Sequence, residues 1–200
     1  MKLALVFSLF FSHIAFAYNI DKSVYATGQL AQLEHSGQGR FDSYLSMDIP
    51  FEPVEKLFDF LKTKTGLNLT SRGEAHITVV TPIEYFDVLK KHLSIADINK
   101  IAKKMKLQSS KFEIICLGQG SKEIDKHLEQ TFYLVVKSSD LIKIRTEIRQ
   151  AYIKNGGDRS DFDPNSYYPH ITLGFTKRDL HESDGIIKNE KSCMSNVSVL

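Results

Sequence analysis

Tyr168-Pro169-His170-Ile171-Thr172-Leu173-Gly174-Phe175 repeats at its centre an earlier stretch of the chain, Ala75-His76-Ile77-Thr78-Val79-Val80. The shared core is His-Ile-Thr followed by an aliphatic residue, and the two histidines stand 94 positions apart (170 minus 76). β-Branched and aromatic residues frame the polar pair in both copies, and a proline borders each, Pro169 before one and Pro82 after the other, which predicts two strands. Residues two apart on a strand share a face. His76 and Thr78 therefore project to one side and Ala75, Ile77 and Val79 to the other. His170 and Thr172 are separated from Ile171, Leu173 and Phe175 in the same way. A single His-x-Thr occurs by chance in many proteins; two with the same apolar framing are what a duplicated half around a shared cleft gives.

Around these strands the periodicity predicts a mixed chain. A strand at 44–49 closes at Pro50, and a helix over 53–65 places Val54, Leu57, Phe58 and Leu61 on one face before Gly66 stops it. Ile83, Phe86, Leu89 and Leu93 predict a second helix. A third starts at Ser94, an N-cap with Asp97 three residues on, and carries Ile95, Ile98, Ile101, Ala102 and Met105. Strands follow at 112–117 and 131–137, then a helix over about 140–154 that ends at Asn155-Gly156-Gly157. Adjacent strands occur as well as strands parted by helices, so the pattern is α+β with largely antiparallel pairing. Residues 18–40 read as an irregular segment with a short helix near Leu30, and the charge-rich residues 177–200 as a peripheral tail.

With 42% hydrophobic and 25% charged residues the chain is an ordinary globular one, not a disordered one. Its formal charge of +2, of which Lys2 supplies one, is too small for a field that grips a long nucleic-acid duplex. A small nucleotide or an RNA end needs only local positive charge. Met1-Lys2, the apolar run 3–11 and Ala15-Phe16-Ala17 have the form of an export signal cleaved after Ala17, too short to span a membrane. The expected location is periplasmic or extracellular, with no membrane attachment after cleavage. Two cysteines, Cys116 and Cys193, could bridge there, but Cys116 lies in the apolar run 112–117, where a buried, unbridged thiol is the expectation. No Cys-x-x-Cys or His-Glu-x-x-His occurs, so no metal site is expected.

The paired His-x-Thr-hydrophobic motifs, with the Tyr-Pro lead-in to the second, resemble the 2H phosphoesterase superfamily, the group of the LigT-like RNA 2′,3′-cyclic phosphodiesterases. The chain is most similar to the branch called Swiss Army Knife RNA-repair-like, over about residues 40–175. The resemblance implies a LigT-like bilobal fold, domain limits near 41–176, two related lobes with each His-x-Thr strand central in its lobe, and a cleft between them. It also implies that His76, Thr78, His170 and Thr172 are catalytic, the first histidine as acid and the second as base. Read from the residues alone, two imidazoles suit opening a phosphodiester at neutral pH, one neutral and one protonated, and hydroxyls beside them can meet the phosphate oxygens.

No cofactor or metal is required by that scheme. The polar loop that delivers the chain to His170 offers Phe162 or Tyr168 to stack a base and Arg159 to meet phosphate. His35, His92, His127 and His181 read as surface groups. The expectation is a secreted, monomeric phosphodiesterase acting on a nucleotide or RNA end; the alternative is a nucleotide- or RNA-binding module that keeps the cleft without turnover.

Overall fold

The two His-Ile-Thr strands lie side by side. The structure is a computed structural model that describes residues 18–200; the expected leader and its cleavage site lie outside the described residues. In chain order the elements are β1 (Tyr18–Ile20), β2 (Leu45–Asp48), α1 (Phe51–Thr65), β3 (His76–Val80), α2 (Ile95–Lys104), β4 (Glu113–Ile124), β5 (His127–Lys137), α3 (Ser139–Lys154), β6 (His170–Phe175), β7 (Cys193–Ser195) and β8 (Val197–Val199). Six strands form one sheet in the order β2-β3-β6-β5-β4-β7, every neighbouring pair antiparallel.

The order carries an internal symmetry. β2-α1-β3 and β5-α3-β6 are the same unit: a strand, a helix, and a His strand that returns to pair with the first. The two units meet at β3 and β6, registered at Ile77 against Ile171. Each His strand is thus the inner edge of its half, not its centre, and the halves share one continuous α+β sheet.

Each helix forms because its apolar residues recur at helical spacing and its ends are sealed. Gly66, in the left-handed region at φ 65, ends α1, and a reciprocal capping box between Ser94 and Asp97 starts α2. The helices cross the seam between the halves, α1 packing on β6 and α3 on β3. Gly174 permits the first contact, since a Cβ there would stand 2.6 Å from the Phe58 ring. Leu57, Leu61, Ile144 and Ile148 thereby enter one core with Ile77, Val79, Leu134, Ile171 and Leu173. Each such side chain, fully buried, contributes on the order of 1.5–3 kcal/mol. The opposite face of the sheet is left for His76, Thr78, His170 and Thr172.

Several expectations are corrected. Ile83 to Leu93 is not one helix: a π-helical turn over Glu84–Val88 and a 3₁₀ turn over Leu89–Lys91 replace it, because Val88 leaves helical geometry (φ −120, ψ −72). β4 and β5 run on to a tight hairpin through Asp125 and Lys126, both at positive φ. Residues 18–40 bury Tyr18, Ile20 and Val24, and β1 pairs in parallel with β8. Residues 177–200 are no peripheral tail, since they supply the sheet edge β7 as well as β8. β7 runs beside β4 with Cys193 against Gly118, and Cys116 and Cys193 form a disulfide. The expected free thiol is overturned because the pairing of β7 with β4 brings the second cysteine to the first.

Candidate active site

With Ile77 facing Ile171 in antiparallel register, the flanking positions fall His76 against Thr172 and Thr78 against His170. The four motif side chains form a diagonal set on the face of the sheet opposite the helices. Asp48 of β2 lies opposite His76, and Tyr133 and Val135 of β5 lie opposite Thr172 and His170, on the same face. The Tyr133 ring lies over Gly118 of β4, where a Cβ would be 2.5 Å from it.

The two imidazoles have different surroundings. Nδ1 of His76 is 2.8 Å from Glu74 Oε2, and Nε2 makes no hydrogen bond among the described residues. Burial works to raise the Glu74 pKa, but the hydrogen bond and charge of His76 and the charge of Arg72 outweigh it, so this carboxylate is held below its ordinary range. Tyr44 tilts over His76 with ring centroids 6.1 Å apart and is itself stacked on His35 at 4.0 Å. His35, expected as a bystander, thus belongs to the surroundings of the first motif.

His170 donates from Nδ1 to the Tyr168 carbonyl at 2.8 Å, which fixes the tautomer with the lone pair on Nε2. Against Nε2, at 3.3 Å, stands the ammonium of Lys188. Burial and that ammonium pull the imidazole pKa down from 6.5 to about 3, so His170 is neutral through the neutral range. Lys188 is 3% exposed and donates to Asp179 Oδ1 at 2.7 Å. Asp179 also accepts from Thr131 at 2.7 Å, and from Thr172 and Arg72 at 3.1 Å each. Burial opposes its ionisation, but Lys188, His181 and these donors hold it ionised, below the ordinary carboxylate range. The Thr172 hydroxyl therefore gives its proton to Asp179, whereas the Thr78 hydroxyl makes no hydrogen bond among the described residues.

A family model described as Swiss Army Knife, 2H phosphoesterase domain matches residues 43–181. The chain belongs to that family. No match was found among curated proteins or among solved structures. Membership in the 2H phosphoesterases carries phosphodiesterase-type chemistry in general terms.

The other residues expected to touch substrate are placed differently. Tyr168 is half-buried beside His170 and, with Val135, Ile142, Pro169 and Lys188, lines a cavity of about 200 Å³. Phe162 is 2% exposed and lies 4.6 Å from the Arg145 guanidinium, so its ring has no face left for a base. Arg159 is exposed and has no ion pair among the described residues. Positive charge at the histidines comes instead from Arg72 and Lys188.

Arg145 was not legible as a key residue, yet it builds the entry to the second motif. It is fully buried in α3, between the Phe162 and Tyr167 rings. It grips both oxygens of Glu84 and donates to the carbonyls of Val79, Asp163, Pro164 and Ser166. The Tyr167 hydroxyl donates to the Thr78 carbonyl at 3.0 Å. Together they tie the loop before β6 to the end of β3.

Proposed function

We propose that this 2H phosphoesterase is an exported phosphodiesterase that hydrolyses a 2′,3′-cyclic phosphate, or a 2′-5′ linkage, of a nucleotide or RNA end with its two imidazoles and without a metal. The observation that carries this reading is the Ile77–Ile171 register, which sets both imidazoles on one face of the sheet. In the proposed step water attacks phosphorus, Nε2 of His170 takes the water proton, and Nε2–H of His76 protonates the ribose oxygen as its bond to phosphorus breaks. The lone pair fixed on Nε2 of His170 by Tyr168 suits the base, and the ionised Glu74 beside Nδ1 of His76 suits the acid. Arg72 and Thr78 are the groups available for the phosphoryl oxygens. Among the described residues no group of three or more His, Cys, Asp or Glu is arranged to hold a metal ion.

The test is a screen of the mature chain, beginning at Tyr18, against 2′,3′-cyclic nucleotides, 2′-5′ dinucleotides and ADP-ribose cyclic phosphate, with products assigned by phosphorus NMR. Turnover that survives EDTA and falls on the order of 10²-fold or more in His76→Ala and in His170→Ala is expected. Nucleotide binding without turnover would decide for a binding module. Intact-mass measurement of exported chain that retains residues 1–17 would mean an anchor in place of a cleaved signal.

A further inference from the structure

The base assigned to His170 is blocked. Nδ1 is committed to the Tyr168 carbonyl, so the ring can exchange a proton with substrate only at Nε2, and Nε2 already accepts from Lys188 at 3.3 Å. Lys188 is fully buried, and its Nζ lies 2.7 Å from Asp179 Oδ1 and 5.2 Å from the centre of the Tyr133 ring. Asp179 does not depend on it. Thr131 donates to the same oxygen, and Thr172 and Arg72 donate to the other, so the carboxylate stays partnered when the ammonium turns away.

Resting on the phosphodiesterase reading above, we propose that Lys188 is an anion-operated latch: it caps Nε2 of His170 in the free protein, and the phosphoryl oxygen of the substrate draws it off. An anionic oxygen is a stronger acceptor for an ammonium than a neutral imidazole, since the hydrogen bond is charge-assisted on both sides. Arg72 is shared between Asp179 and Glu74, so Lys188 is the cation that an incoming anion can recruit. When Lys188 transfers to the phosphoryl oxygen, Nε2 is uncovered beside the phosphorus, where the attacking water has to lose its proton. The proton passes from water to Nε2, and Lys188 keeps its own throughout. The base is thus withheld until substrate is present, and the lysine that releases it stabilises the charge that then builds. The other ionisable groups acting on His170 are Asp179 and His181, from the segment after β6, with Tyr133 of β5 packed edge-on at 5.9 Å.

The test reads ring protonation and anion binding, so it does not depend on turnover. In nitrogen-15 spectra of the mature chain, His170 should show no ordinary imidazole titration, and saturating inorganic phosphate should move its titration up towards 6.5. In Lys188→Met the His170 titration should lie higher than in the parent without phosphate, though still below the ordinary value because the ring stays buried, and phosphate should bind roughly tenfold or more weakly, the size of a lost charge-assisted hydrogen bond. Lys188→Arg should keep part of the phosphate response. A His170 titration unmoved by Lys188→Met, or phosphate bound equally well by that variant, overturns the latch. If Lys188→Met does not fold, the wild-type response decides, and a titration unmoved by phosphate overturns the latch as well. Turnover with an unmoved His170 removes the latch alone; a latch response without turnover on any diester removes the phosphodiesterase reading alone.

Discussion

Lys188 and Arg145 are both buried cations, and they do different work. Arg145 is satisfied on every side, by Glu84, four carbonyls and two aromatic rings. Removing one partner of such a pair leaves the other charge uncompensated, which costs about 3–5 kcal/mol. Arg145→Met should lose stability of that order in urea denaturation, and Glu84→Gln added to it should recover part of the loss; a single variant within about 1 kcal/mol of the parent would show that the node is not needed. His170 contributes to the response to acid, together with His35 and His181, whose pKa values burial also lowers. The unfolded chain protonates the His170 ring at its ordinary 6.5 and the folded chain only near 3, so in that window the unfolded state holds the extra proton. Stability from this group is complete above about pH 6.5 and is lost as pH falls through the window. Asp179, held below its ordinary 3.8, adds a further loss at lower pH. Melting temperature measured from pH 7 to pH 4 should therefore fall, with a shallower slope in His170→Asn; equal slopes would place the acid sensitivity elsewhere.

β7 has only three residues, yet it carries Cys193 to Cys116 and so closes a loop across a separation of 77 residues. Removing the bridge by Cys193→Ser should cost about 2–4 kcal/mol. Thiol titration should show a gain of two on reduction, and equal counts before and after would deny the bridge. The bridge was illegible because it depends on β7 pairing with β4, a contact between remote segments that no local pattern announces. By contrast, the His strands and the three α-helices were legible, since alternation around Ile77 and Ile171, helical spacing in α1 and α3, and the Ser94–Asp97 cap are local signals. β4 beyond Leu117 was missed because Gly118, Gly120, Ser121, Lys122 and Glu123 present no apolar alternation. Lys188 was missed for a related reason. It sits among Asn189, Glu190 and Lys191, a composition that reads as solvated surface, and only the folded chain sets it against Asp179.

Across the whole molecule, the two halves meet through a thin backbone contact. β4 and β5 are registered along nearly their full length, whereas β3 and β6 are registered only at Ile77 and Ile171. Side chains and a short bridge reinforce the joint at its ends. Tyr167 and Arg145 reach the carbonyls of Thr78 and Val79 at one end, and at the other Thr70 pairs with Phe175 while Arg72 reaches Asp179. A joint with little ladder along its length bends more readily than the sheets on either side. Were it to act as a hinge, the two imidazoles would stand on opposite leaves of it. Amides that β3 and β6 turn towards each other should exchange with deuterium sooner than those shared by β4 and β5, and equal protection would mean a rigid sheet. With such compliance the gap between acid and base can follow the phosphorus as one bond forms and the other breaks, while each half keeps its own fold intact.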